Sequence, residues 1–171
     1  MRLSRTWRIC STVALVLIFD QLSKMWGVKY LRQTGTFPIF EGILHLTYHE
    51  NTGAGFSMLR DQRALLIAIS VPAIMFLIAL ITRNAFNHKM MDAALSLMLG
   101  GALGNFVDRV RMGYVVDFID FRIIRFPIFN IADCALTLGA ALMILHTWLE
   151  VDSSESSERT PNDGRVDEGF Q

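Results

Sequence analysis

The sequence predicts an α-helical membrane protein, a four-transmembrane-helix bundle with a small extracytoplasmic β-sheet between helices 1 and 2. Three observations carry that prediction. The chain is 52% hydrophobic over 171 residues, and the apolar residues gather in four blocks, Trp7–Trp26, Ala64–Ile81, Met90–Val107 and Ile131–Leu149. A helix rises about 1.5 Å per residue, so blocks of this length suit a hydrocarbon core about 30 Å thick. Between the first two blocks, TFPIFEGILHLTY (36–48) is rich in β-branched and aromatic residues with partial alternation, and the glycine-bearing turn ENTGAGF follows.

The first span, about 7–26, has an aromatic residue at each end and only Arg8, Asp20 and Lys24 as charges. Its basic start (Arg2, Arg5, Arg8) resembles a secretion signal, but Asp20-Gln21 follows and LSKMW offers no small-x-small cleavage site, so it is read as a retained helix. The second, about 64–82, contains an uncharged run, ALLIAISVPAIMFLIALI, whose Pro72 a membrane bundle tolerates. The third, about 90–109, carries Asp92 near its start. Its LGGALGN places Gly100 and Gly104 at a spacing that admits a neighbouring helix, which makes it the candidate centre of the bundle. The fourth, about 130–149, contains Asp133 in its first turn and His146. Residues 1–150 thus form one integral membrane domain with a β region at about 36–60. The polar, Ser-rich and acidic tail 151–171 is expected to be disordered on the cytoplasmic side.

Sixteen basic residues balance sixteen acidic ones, so nothing suggests a nucleic-acid partner. With Arg8, at the very start of the first span, counted with the terminus, seven Lys and Arg fall on the side of the termini and seven on the other. The unopposed Arg triplet before helix 1 breaks the tie and puts both termini in the cytoplasm. Cys10 and Cys134 then lie at opposite ends of the bundle, too far apart for a disulfide, and read as small apolar packing residues.

The ionisable residues converge. Asp20 and Lys24 fall at the outer end of helix 1, Asn105, Asp108 and Arg109 at the outer end of helix 3, and Asn130 and Asp133 at the outer start of helix 4. Asp117 follows helix 3, in a loop or helix extension. Each has a bland reading. Asp20 and Lys24, at i and i+4, form a helix-end pair that snorkels to the interface. Asp108–Arg109 fixes the bundle, Asn130 caps helix 4, and Asp133 suits the helix dipole. Together they place several acids at one depth near hydrocarbon, and such carboxylates are expensive and usually functional. Two carboxylates close together in a poorly hydrated site share one proton, which suits amide hydrolysis. Asp117 and Asp133 flank a turn and are best placed to meet. A transporter or proton carrier is the alternative, although inverted repeats and a polar path through the inner half are lacking. The four histidines form no HExxH, no GxSxG appears, and no metal or organic cofactor is called for.

Five ordered stretches, DQLSK (20–24), ENTGAGFS (50–57), GGALGNFVDR (100–109), VVDFID (115–120) and FNIADCALT (129–137), resemble the bacterial lipoprotein signal peptidases, or signal peptidase II, over about Val16–Met143. The resemblance implies an aspartic endopeptidase of the cytoplasmic (inner) membrane. Such an enzyme removes the signal peptide from diacylglyceryl-modified prolipoproteins, cutting on the amino side of the lipidated cysteine. It implies Asp117 and Asp133 as the catalytic pair. Asp20, Lys24, Asn51, Gly53, Asn105, Asp108, Arg109 and Asn130 would line or brace the site, with Asn51 and Arg109 on the substrate backbone. Asp120 is expected as a neighbour that raises the pair's proton affinity. The expected partners are the lipid-modified precursor and membrane lipids, and the chain is expected to act as a monomer.

Overall fold

The computed structural model describes residues 2–54, 58–124 and 126–158. In chain order these form α1 (Arg2–Thr34), β1 (Thr36–Phe40), β2 (Leu44–Asn51), α2 (Arg63–Thr82), α3 (Lys89–Arg111), β3 (Val115–Phe121) and α4 (Ile131–Glu158). Four helices are long and apolar enough to cross a membrane, as the hydropathy predicts.

α1 outruns its apolar block by eight residues, because the polar continuation KYLRQT still favours helix. It stops at Gly35, whose φ of 77° lies in the left-handed region and whose N–H donates to Leu31 O at 2.7 Å. α4 likewise continues to Glu158, so the helix enters the segment expected to be disordered; residues 159–171 lie outside the described part.

α3 is the hub, as its glycines suggest. More than half of its most apolar stretch is buried inside the molecule, against about a fifth for each other helix. A Cβ on Gly100 would sit 2.8 Å from Val16 Cβ of α1. One on Gly101 would meet the Ala132 carbonyl of α4, and on Gly139 of α4 the Ala94 carbonyl of α3. The three helices therefore approach almost backbone to backbone. Ile9, Ile74, Leu77, Ile81, Leu95 and Leu99 form the core between α1, α2 and α3.

The sheet is antiparallel with order β1-β2-β3. β1 and β2 form the hairpin expected between the first two helices, turning at Gly42 (φ 73°). The third strand comes from after α3, where the sequence suggests a loop or helix extension. VVDFIDF buries Val115, Val116, Asp117 and Phe118, so its carboxylates mimic a solvated segment although they are inside. Gly27 of α1 packs on Phe118, seating the sheet against the end of the bundle.

Candidate active site

β3 and the segment before α4 bring the two acids together. The Ile119 N–H donates to Phe129 O at 2.8 Å and the Phe129 N–H to Ile119 O at 3.1 Å, so Phe129 is held along the edge of β3. Asn130 follows, and α4 starts one residue later with Asp133 in its first turn. Asn130 is fully buried and joins the pair. Its Nδ2 donates to Asp117 Oδ1 at 2.6 Å and its backbone N–H to Asp133 Oδ2 at 3.2 Å, while its Oδ1 accepts from the Asp133 N–H at 3.0 Å. Asn130 is thus the helix cap, and Asp133 closes a reciprocal capping box. Asn51 Nδ2 supplies Asp117 Oδ2 at 2.9 Å, and Asn105 Nδ2 supplies Asp133 Oδ1 at 2.8 Å. All four carboxylate oxygens accept from neutral amides.

Asp117 is 1% exposed. Burial, then the charge of Asp133, push its carboxyl up to about 7, against the opposing pull of the Asn51 and Asn130 hydrogen bonds and of Lys24. Its ordinary value is about 3.9.

Behind the pair lies a second, fully satisfied cluster. Lys24 Nζ donates to Asp20 Oδ2 at 2.8 Å, Asp108 Oδ2 at 2.9 Å and Asn105 Oδ1 at 3.0 Å, which uses all three of its protons. Asp20 Oδ1 accepts the Ala132 N–H of α4 at 2.9 Å. Asp108 Oδ2 accepts the Val116 N–H of β3 at 3.3 Å. The expected snorkelling pair is therefore corrected: Lys24 is 2% exposed and points into the bundle, because two carboxylates and an amide replace its water. Asp108 pairs with Lys24, not with Arg109. Gln21 completes the cluster, donating to Asp20 Oδ2 at 3.2 Å and Asp108 Oδ1 at 2.9 Å. A lone Gln beside a charged residue carries no spacing signal, so the sequence does not disclose its role.

Arg109 Nη2 donates to Gly53 O at 2.9 Å, and Asn51 Oδ1 accepts the Gly53 N–H at 2.9 Å, so Arg109 and Asn51 together fix the turn after β2. Asp120 departs from expectation. Alternation turns it to the face of β3 opposite Asp117, where it accepts from Thr47 Oγ1 at 2.8 Å and Arg122 Nε at 2.9 Å. The cysteines are free and exposed rather than packed inside.

A cavity of about 800 Å³ opens over the pair. His49, Asn51, Arg60, Asn105, Arg109, Asp117 and Asp133 supply its polar lining, and residues 126–129 with Cys134, Leu138 and Ala141 of α4 supply a largely apolar wall. Such an arrangement admits an extended, partly apolar chain beside two coupled carboxyl groups. It supports general acid–base chemistry on a polar bond held at the helix ends.

Four spanning helices, with a buried Asp117 and a part-buried Asp133 brought together at their rim, define a multi-pass membrane protein. The chain belongs to the signal peptidase II family: the family model described as Signal peptidase (SPase) II matches residues 12–149. It is therefore a peptidase. Lipoprotein signal peptidases from Brevibacillus brevis and Halothermothrix orenii are 39% and 41% identical to it, each alignment covering 80% of this chain and 92% of the relative. That of Anoxybacillus flavithermus is 42% identical, over 80% of this chain and 82% of the relative. A solved bacterial membrane enzyme superposes with a TM-score of 0.79 at 32% identity, covering 92% of this chain and 94% of that one.

Proposed function

We propose that this peptidase is of the aspartic type, with Asp117 and Asp133 as its catalytic pair. It removes signal peptides from prolipoproteins; by family analogy the bond cut lies on the amino side of a diacylglyceryl-modified cysteine. The observation that carries the reading is the joining of the two carboxyl groups through Asn130 at the polar lining of the cavity.

The chemistry follows from the unequal surroundings. Asp117, pushed up to about 7, holds the shared proton and hydrogen-bonds the scissile carbonyl oxygen. Asp133, at the positive end of α4, is the carboxylate that removes a proton from water. The hydroxide equivalent adds to the carbonyl carbon, and Asp117 gives its proton to the oxygen. As the C–N bond breaks, the proton taken by Asp133 goes to the leaving amine, and the acid product returns the other to the pair. Asn51 and Asn130 aim Asp117, and Asn105 aims Asp133. Lys24, Asp20 and Asp108 hold α1, α3, α4 and β3 in register around them.

The apolar wall descending α4 to Ala141 suits the lipid or the signal helix of a membrane-embedded precursor. Both termini are assigned to the cytoplasm and the site to the outer face of the bacterial inner membrane, where the precursor's peptide bond meets water. The test is a gel-shift assay of a diacylglyceryl-modified precursor with purified enzyme. Asp117→Asn and Asp133→Asn are each expected to fold, insert and lose at least about 10²–10⁴-fold in turnover. Near-normal cleavage by either amide variant overturns the pair.

A further inference from the structure

At the end of the bundle remote from Asp117 and Asp133, a separate cleft of about 230 Å³ opens between α1 and α3. Its walls are Arg8, Ile9 and Thr12 on one helix and Lys89, Asp92, Ala93 and Ser96 on the other. α1 and α3 meet closely where the Val16 side chain packs on Gly100. Asp92 lies eight residues along α3 from that contact, about 12 Å.

The charge in the cleft is unbalanced. Arg5 Nε donates to both Asp92 oxygens at 3.0 and 2.9 Å, and its Nη2 to Oδ1 at 2.6 Å, so this carboxylate is already neutralised by a forked pair. The same guanidinium donates to Ile81 O, tying down the end of α2. Arg8 is left with only a 3.8 Å approach to Asp92, and half of its side chain is exposed. Among the described residues Lys89 makes no ion pair and the Thr12 hydroxyl no hydrogen bond. Counting Arg5, Arg8 and Lys89 against Asp92 leaves two positive charges. Arg8 and Lys89 line the cleft from two helices, and Thr12 lines it from α1 with them.

We propose that this cleft binds the phosphate of an anionic glycerophospholipid. A guanidinium, an ammonium and a hydroxyl supply donors to several phosphate oxygens at once. The position favours lipid over a free ion. Arg8 and Asp108 belong to opposite ends of the helical layer, and Asp92 and Asp108, sixteen residues apart on α3, are separated by about 24 Å, close to a bilayer's hydrocarbon thickness. A basic cleft between helix ends at headgroup depth is where lipid phosphates collect. Trp7, 75% exposed beside Arg8, supplies an aromatic of the kind that settles at headgroup level. The site is distinct from the acidic pair and does not depend on the peptide chemistry assigned there.

The test uses the full chain in a neutral maltoside detergent. Native mass spectrometry and thermal unfolding are recorded with added phosphatidylglycerol, phosphatidylcholine or inorganic phosphate. One retained phosphatidylglycerol and a raised melting temperature are expected, with neither effect from phosphatidylcholine or inorganic phosphate. Each basic residue near an anionic headgroup contributes about fivefold in affinity, so Arg8→Gln with Lys89→Gln is expected to bind about thirtyfold more weakly. Its melting temperature without lipid and its cleavage rate are expected to be unchanged. Thr12→Val, which alters no charge, is expected to weaken binding several-fold and separates a built site from general attraction. Equal retention of phosphatidylcholine, undiminished binding by both variants, or a full shift with inorganic phosphate alone overturns the proposal.

Discussion

Asp117 is where burial and charge act in the same direction, and its titration sets the pH behaviour of the site. Its carboxyl is raised to about 7, so it is protonated below that value and loses its proton above it. Turnover is expected to fall as pH rises through about 7, by about tenfold per unit, as the shared proton is lost. Folding carries the same sign. Between about 4 and 7 the folded chain binds a proton that the unfolded chain releases, so this group's contribution to stability declines as pH rises across that window. Asn51 opposes the upward shift through its bond to Asp117 Oδ2. Asn51→Ala is therefore expected to move the alkaline limb of the pH–rate profile to higher pH, while a merely structural loss would lower the rate without displacing the limb. Lys24 answers to a different balance. Removing its ammonium leaves Asp20 and Asp108 buried without a cation, and Lys24→Met is expected to cost about 3–5 kcal/mol in detergent unfolding measurements.

Elements differ in how much of themselves the sequence discloses. The spans are visible because their apolar runs meet a fixed membrane thickness, and the GGALG stretch betrays the close approach of α1 and α4 to α3. β3 is hidden, since Asp117 and Asp120 read as surface charges and its partner β2 lies about seventy residues earlier in the chain. Without β3, the meeting of Asp117 with Asn130 through Phe129 has no local signal, although the acids themselves were legible as a cluster at one depth. The direction of Lys24 was equally hidden, because helical spacing gives its neighbour Asp20 but not the facing Asp108 and Asn105. The glycine contacts supply an element-scale test. Gly101→Ala directs a methyl group at the Ala132 carbonyl, which belongs to rigid helix backbone, and is expected to cost about 1–3 kcal/mol and to lower cleavage by moving α4. Gly27→Ala meets Phe118 and Leu31 at ordinary distances of 3.8–3.9 Å and gains helix propensity of up to about 1 kcal/mol, so its melting temperature is expected to hold or rise.

At the scale of the molecule, topology ties the ends of the bundle to opposite faces of the membrane. The hairpin turn at Glu41–Gly42 shares one end with β3 and the start of α4, which carry the acidic pair, while the α2–α3 connection, with Asn87, occupies the other beside Arg5 and Asp92. By the spans read from the sequence, with Arg8 counted with the terminus, the basic residues divide equally between the two sides, so charge counting leaves the direction of insertion to the Arg triplet at the start of α1. The two exposed loops make the direction measurable. With Cys10 and Cys134 replaced by Ser, a cysteine introduced by Glu41→Cys is expected to react with a membrane-impermeant maleimide on spheroplasts. One introduced by Asn87→Cys is expected to react only after the membrane is permeabilised. Both loops are exposed and lie outside the cavity lining, so cleavage activity should match that of the cysteine-free parent and certify that the labelled molecules are folded. The reverse pattern would put the acidic pair on the cytoplasmic face. It would deny the enzyme the outer-leaflet peptide bond proposed as its target and would require a different route for its substrate.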